Sequence, residues 1–199
     1  PCQDGYNDRV KDAWDQNTEK IFDERATWAD IAWLKGITSL PILIKASCEQ
    51  PDRTAKGVLN PRDAVEAVEA GANGIIVSNH GGRALDGTLS SIESLRPVVK
   101  AVRSLRRGAN VPILLDSGVR RGTDVLKALA LGATAVLLGR PVFFSLAVGG
   151  KEGVQRMFSV IKDELNAAMA LCGCQNLRHI TEDLVVFRGV GTAFHRPRL

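Results

Sequence analysis

Residues 74–83 read Gly74-Ile75-Ile76-Val77-Ser78-Asn79-His80-Gly81-Gly82-Arg83, an apolar run that passes directly into a glycine turn carrying a histidine and an arginine. A short, continuously apolar run closed by turn residues is how a strand inside a parallel sheet reads. Reactive side chains just past its C-terminal end are where α/β folds place their chemistry.

Working outward, the same grammar repeats. The run Val111 to Leu115 ends in Asp116-Ser117-Gly118-Val119-Arg120-Arg121-Gly122, and Ala135 to Leu138 ends in Gly139-Arg140. Upstream, Pro41-Ile42-Leu43-Ile44 is a short strand ending on Lys45. Helical patterns separate these runs. Thr27 caps a helix over Trp28 to Gly36, and Asn60-Pro61-Arg62-Asp63 is a cap with proline at the first helical position, leading into Ala64 to Ala70. Further helices are expected over Ser91 to Leu105 and Thr123 to Leu131. A long amphipathic helix over Lys151 to Leu171 carries Val154, Met157, Phe158, Ile161, Leu165 and Met169 at helical spacing.

Alternating short strands and helices predict an α/β fold with a parallel sheet covered on both faces. Four such units fit either a doubly wound sheet or part of a (β/α)8 barrel. A complete barrel takes about 250 residues, so a barrel in these 199 residues is expected to be the half with about four β/α units. Residues 1–26 read as a polar leader, 27–185 as the domain, 46–57 as a polar loop without periodicity, and 186–199 as a tail.

Composition narrows the function. The net charge of +4 is spread along the chain and only 5% of residues are aromatic, which gives no support to a nucleic-acid surface. Nothing reads as a membrane span or a cleavable leader. Cys2, Cys48, Cys172 and Cys174 lack the paired spacing of a zinc site and read as reduced thiols. No metal is expected.

The strand ends suggest specific chemistry. His80 on its glycine turn can take a proton near neutral pH, although a turn histidine bonded to a nearby carbonyl would look the same. Arg83 adds a bidentate fork for a carboxylate. Lys45 offers a fixed positive charge at its strand end, or simply a solvated strand-end lysine. Asp116, Gly118, Arg120, Gly139 and Arg140 look like a phosphate cradle, with amides exposed by glycine beside helix starts and arginines to neutralise the anion. Arginines on solvated loops are the plainer alternative.

Lys45, Ser78-Asn79-His80-Gly81-Gly82-Arg83-Ala84-Leu85-Asp86, Asp116-Ser117-Gly118-Val119-Arg120-Arg121-Gly122-Thr123-Asp124, Lys127-Ala128-Leu129-Ala130-Leu131-Gly132-Ala133 and Leu138-Gly139-Arg140-Pro141 together resemble, in order, the C-terminal half of the FMN-dependent 2-hydroxy-acid oxidases and dehydrogenases, glycolate oxidase being the nearest type. The resemblance runs from about Phe22 through Leu184. It implies a (β/α)8 barrel, FMN as cofactor and a small 2-hydroxy acid such as glycolate or L-lactate as substrate. His80 would be the base and Arg83 the substrate's carboxylate clamp. Lys45 would face the flavin N1/O2 edge, and Ser78 would touch the ring. Asp116, Ser117, Gly118, Val119, Arg120, Gly139 and Arg140 would hold the ribityl chain and phosphate.

There are departures from the family pattern. Ala46 to Lys56 is inserted after the lysine, Ser117 replaces the usual glycine, and Ala84 replaces a usual glutamine. The family's first four β/α units, with the aspartate that orients the histidine, have no counterpart. The chain is therefore expected to be a fragment with weak activity or none. Two other readings stay open: an inactive fragment acting through oligomeric contacts, or a different FMN- or phosphate-binding barrel enzyme. A homo-oligomer is expected for the full-length family. The terminal Pro197-Arg198-Leu199 resembles a peroxisomal address.

Overall fold

In the computed structural model, residues 27–45, 58–83 and 85–186 are described. The leader over 1–26, the insertion over 46–57, Ala84 and the end of the tail over 187–199 lie outside them.

Four strands form one sheet: β1 (Leu43–Ile44), β2 (Gly74–Val77), β3 (Ile113–Leu115) and β4 (Ala135–Val136). Their spatial order is β1-β2-β3-β4 and every pairing is parallel, with Leu43 opposite Gly74, Ile75 opposite Ile113 and Leu114 opposite Ala135. A doubly wound sheet reverses its order at a switch point. Here the order runs one way, and right-handed crossovers then put successive helices on the same face. Of the two architectures the sequence allowed, this is the barrel segment.

The helices are α1 (Ala29–Ile37), α2 (Pro61–Glu69), α3 (Ser91–Arg103), α4 (Gly122–Ala130) and α5 (Arg140–Leu171). Asn60 caps α2 by accepting from the Arg62 amide at 3.0 Å. Ser90 and Glu93 close a reciprocal capping box on α3. Thr27 does not cap α1 as expected: its amide and hydroxyl both donate to the Asp30 carboxylate instead. The Trp28 indole donates to Glu66 at 3.0 Å and ties α1 to α2.

The core lies between the sheet and these helices. Ile75, Val77, Ile113 and Leu115 point one way and are at most 1% exposed, packed with Leu95, Val98 and Val102 of α3 and Ala64, Ala67 and Val68 of α2. The alternate residues Ile76 and Leu114 are only half-buried. The expectation of a sheet buried on both faces is thus corrected, because strand alternation turns Ile76 and Leu114 away from the one helical layer.

The long last helix differs from its expected form in two ways. It begins at Arg140 rather than Lys151, with a break at Gly149 and Gly150 where the backbone leaves helical geometry. Those two glycines hid a helical turn set that starts at the end of β4. Phe158, expected on the inner stripe, is 51% exposed, whereas Ile161 and Met169 are buried. Phe158 shares the face of Leu165, seven positions on, but stands earlier along the helix than the buried Ile161 and Met169, so position along the axis and not helical spacing separates it from them. Where α5 crosses the start of α4, a Cβ on Gly122 would meet the Leu165 backbone nitrogen at 2.1 Å, so only glycine permits this approach. The Gly122 amide donates to Glu164 at 2.8 Å across the same contact.

Candidate active site

All four strands point their C-terminal ends to one side, and the residues that follow them meet there. After β2, Ser78 is fully buried, and its hydroxyl accepts from the His80 amide at 3.0 Å. The Asn79 amide donates to the Ser91 hydroxyl at 2.9 Å, which fastens the turn to the first residue of α3. His80, Gly81 and Gly82 then take φ of 56°, 69° and 75°, three left-handed residues in succession. A histidine tolerates this conformation at some cost, and glycine takes it freely. The turn leaves His80 and Arg83 exposed, and among the described residues neither ring nor guanidinium has a hydrogen-bond partner.

Gly81 is also required by close approach. A Cβ there would lie 2.7 Å from Arg140 Nη2, which donates to the Gly81 carbonyl at 2.8 Å from the end of β4. Arg140, read in the sequence as a phosphate ligand, thus also reaches the histidine turn.

After β3 comes Asp116, 9% exposed. Its Oδ2 accepts from Lys45 Nζ at 2.5 Å, so the lysine at the end of β1 spans β2 to an acid at the end of β3. Burial pushes the Asp116 carboxyl up. The hydrogen bonds from Lys45, Ser78 and Ser117, with the charge of Lys45, outweigh this and hold it below the usual carboxylate range. The carboxylate therefore remains ionised and its partners are donors. Ser117 follows with φ 72° and Gly118 with φ 80°.

A cavity of about 400 Å³ opens between the ends of β2 and β3 and the starts of α3 and α4. Of the sequence-derived set, Ser117, Gly118, Val119 and Arg140 line it. Lys45, Ser78, His80, Arg83, Asp116, Arg120 and Gly139 do not. Lys127, quoted in the sequence only as part of a longer motif, lines it too, as does Ser90. The signal for Lys127 was available: a cation one turn beyond Asp124, on the short helix that follows a glycine turn.

The donors around this cavity match a phosphate monoester. Among the described residues the Gly118 and Val119 amides of the lining, and the amide of Gly139 just outside it beside Arg140, donate to no protein acceptor, a Cβ on Gly118 or Gly139 would meet open space, and Lys127 and Arg140 supply positive charge. Asp124, the one acid in the lining, is occupied by the Arg120 and Arg121 amides at 3.0 Å each. The residues present therefore fit the phosphate end of FMN. Among the described residues no three His, Cys, Asp or Glu side chains are grouped to hold a metal, and no helix is long and apolar enough to cross a membrane.

Comparison with known proteins gives the context. The sequence profile of the FMN-dependent dehydrogenases matches residues 3–187, starting earlier than the resemblance read from Phe22. A peroxisomal (S)-2-hydroxyacid oxidase of Arabidopsis thaliana is 49% identical over 166 residues, which is 83% of this chain and 41% of that protein. Among solved structures, a lactate oxidase of Pediococcus acidilactici superposes with a TM-score of 0.69 at 41% identity, covering 79% of this chain and 39% of that one. A mandelate oxidase variant carrying an FMN adduct superposes with a TM-score of 0.67 at 43% identity, covering 78% and 44%. The chain spans about two fifths of the length of the curated relatives it matches. Its four β/α units correspond to part of those (β/α)8 barrels.

Proposed function

The chain belongs to the FMN-dependent dehydrogenase family, and from that premise we propose that it forms the flavin-phosphate and substrate-acid side of an oxidase of small (S)-2-hydroxy acids, of glycolate or L-lactate type. The observation that carries this reading is the convergence of a histidine turn, an ionised Lys45–Asp116 pair and a phosphate-matching cavity on one end of the sheet. When bound, FMN accepts the two electrons lost from the substrate's α-carbon.

In this reading the Gly118, Val119 and Gly139 amides hold the phosphate together with Arg120 and Arg140, with Lys127 adding charge beside them. Asp116 and Ser117 border the ribityl chain, and Ser78 supports the ring. Lys45 stands at the ring's N1/O2 edge, its ammonium oriented by Asp116. Arg83 grips the substrate carboxylate through its fork, and His80, three residues before it, receives the substrate's proton. Both are exposed on the open side of the turn, where a small acid reaches them directly.

Among the described residues no carboxylate accepts from the His80 ring, the contact that would fix its tautomer. Turnover by this chain is accordingly expected to be weak. The test is to load the purified chain with FMN, exclude oxygen, and add glycolate or L-lactate. Slow bleaching of the bound flavin supports the reading. Bound flavin that never bleaches rejects turnover by this chain.

A second reading has its own observation. Phe143, Phe144, Leu146 and Val148 are 53% to 92% exposed along the start of α5, an apolar surface suited to association with another subunit. Under it the chain acts through oligomeric contacts without turnover, and the persistence of unbleached flavin would favour it. The peroxisomal name of the Arabidopsis relative supports the same address for this protein. Import of a fluorescent fusion into peroxisomes checks that directly.

A further inference from the structure

Among the described residues only two that are not glycine take a left-handed backbone, His80 at φ 56° and Ser117 at φ 72°. A side chain in this region is strained, so a serine held there at the end of β3 calls for a compensating interaction. Its hydroxyl supplies two. Ser117 Oγ lies 2.7 Å from Asp116 Oδ1 and 2.8 Å from the Gly81 nitrogen.

The direction of these bonds is fixed by chemistry. An ionised carboxylate only accepts, so the single hydroxyl proton goes to Asp116, and a lone pair is left for the Gly81 N–H. The turn's other amides are satisfied near at hand. His80 donates to the Ser78 hydroxyl and Gly82 donates to Asn79. Among these three amides, only that of Gly81 is taken by a residue from another strand's end. The Gly81 carbonyl is meanwhile held by Arg140. The peptides on both sides of the Gly81 Cα are thus tied to residues that follow other strands, the one on the His80 side through Ser117 after β3 and the other through Arg140 after β4.

We propose that Ser117 is a positioning residue, whose hydroxyl, oriented by Asp116, fixes the Gly81 amide and with it the left-handed turn that presents His80. This rests on the reading of His80 as the base and adds to it a role for a side chain placed above only beside the cofactor. It also gives Lys45 a second function, since Lys45 holds the other carboxylate oxygen of the same Asp116. One polar chain then runs Lys45, Asp116, Ser117, Gly81, from the end of β1 to the base.

The test uses the flavin-free full chain and two variants. Ser117→Gly keeps the left-handed backbone, removes the strain and removes both hydrogen bonds, so it folds. Ser117→Asn also tolerates the left-handed region and offers an amide oxygen to Gly81. Amide hydrogen exchange read by NMR should accelerate roughly ten-fold at Gly81 in Ser117→Gly, with Ile113 in the sheet unchanged, and should return toward the parent rate in Ser117→Asn. Unchanged exchange at Gly81 in Ser117→Gly overturns the proposal, even if glycolate bleaches the flavin. Local acceleration with rescue by asparagine supports it even if no hydroxy acid is turned over, because this readout needs neither flavin nor substrate.

Discussion

The centre of the sheet and its two edges are built differently. At β2 and β3, Ile75, Val77, Ile113 and Leu115 are sealed under α2 and α3. At the edges, Leu43 on β1 and Leu137 just past β4 are 39% and 37% exposed, and Phe143 beyond is 71% exposed. The site draws on both. His80, Arg83, Asp116 and Ser117 come from the packed centre, whereas Lys45 and Arg140 come from the edges and each reach inward through a polar contact, to Asp116 and to Gly81. Apolar burial sets where the central residues stand, and directed hydrogen bonds set where the edge residues stand.

The sharpest way to break this contrast is by paired truncations. Ile113→Ala should lower unfolding free energy by about 3 kcal/mol, the usual cost of emptying a filled core site. In urea unfolding, similar losses from Ile113→Ala and from a solvent-exposed edge residue would mean that the edges are packed after all.

Next in size is the edge arginine. Arg140→Met removes a charge-assisted donor from the cavity and should weaken FMN binding at least roughly ten-fold, with little change in midpoint unfolding. An unaltered affinity would leave Arg140 with only its Gly81 contact.

Asp116→Asn probes the link from β1 to β3. Lys45 is 44% exposed, so water screens the pair and the loss should be only about 1 kcal/mol. The folded carboxyl titrates below its ordinary value of 3.8. The unfolded state therefore binds this proton first as pH falls. The contribution is complete above pH 3.8 and is lost as pH drops through the lower folded value. Acid unfolding curves of parent and variant should accordingly diverge above that range and converge below it. Parallel curves would remove Asp116 from the account.

The smallest effect belongs to the outer edge itself. Phe143→Ser should shift stability by no more than about 0.5 kcal/mol, and sedimentation should show less self-association than the parent. A large loss of stability would show that Phe143 is covered.

The same contrast explains what the sequence could reveal. The central strands were legible because continuous apolar runs ended in glycine turns, and their bounds fell within two residues of expectation. Caps at Asn60 and Ser90 carry local chemistry and could be read or seen directly. The choice between a doubly wound sheet and a barrel could not be made from periodicity, since both have the same local pattern and differ only in strand order. The start of α5 was hidden by Gly149 and Gly150, which break the helical pattern between Arg140 and Lys151. In the site, the residue types were legible and the pairings were not. Nothing in spacing alone says that Lys45 takes Asp116 across 71 positions, or that Arg140 reaches Gly81 across 59.

The claim on which the account depends most is that the ends of β3 and β4 bind a phosphate monoester. Calorimetric titration of the chain with FMN and with riboflavin, side by side, isolates that group because the two ligands differ only in the phosphate. FMN should bind at least about ten-fold tighter than riboflavin, with the difference shrinking in Arg140→Met. Equal affinities for the two, or no binding of either, would contradict it.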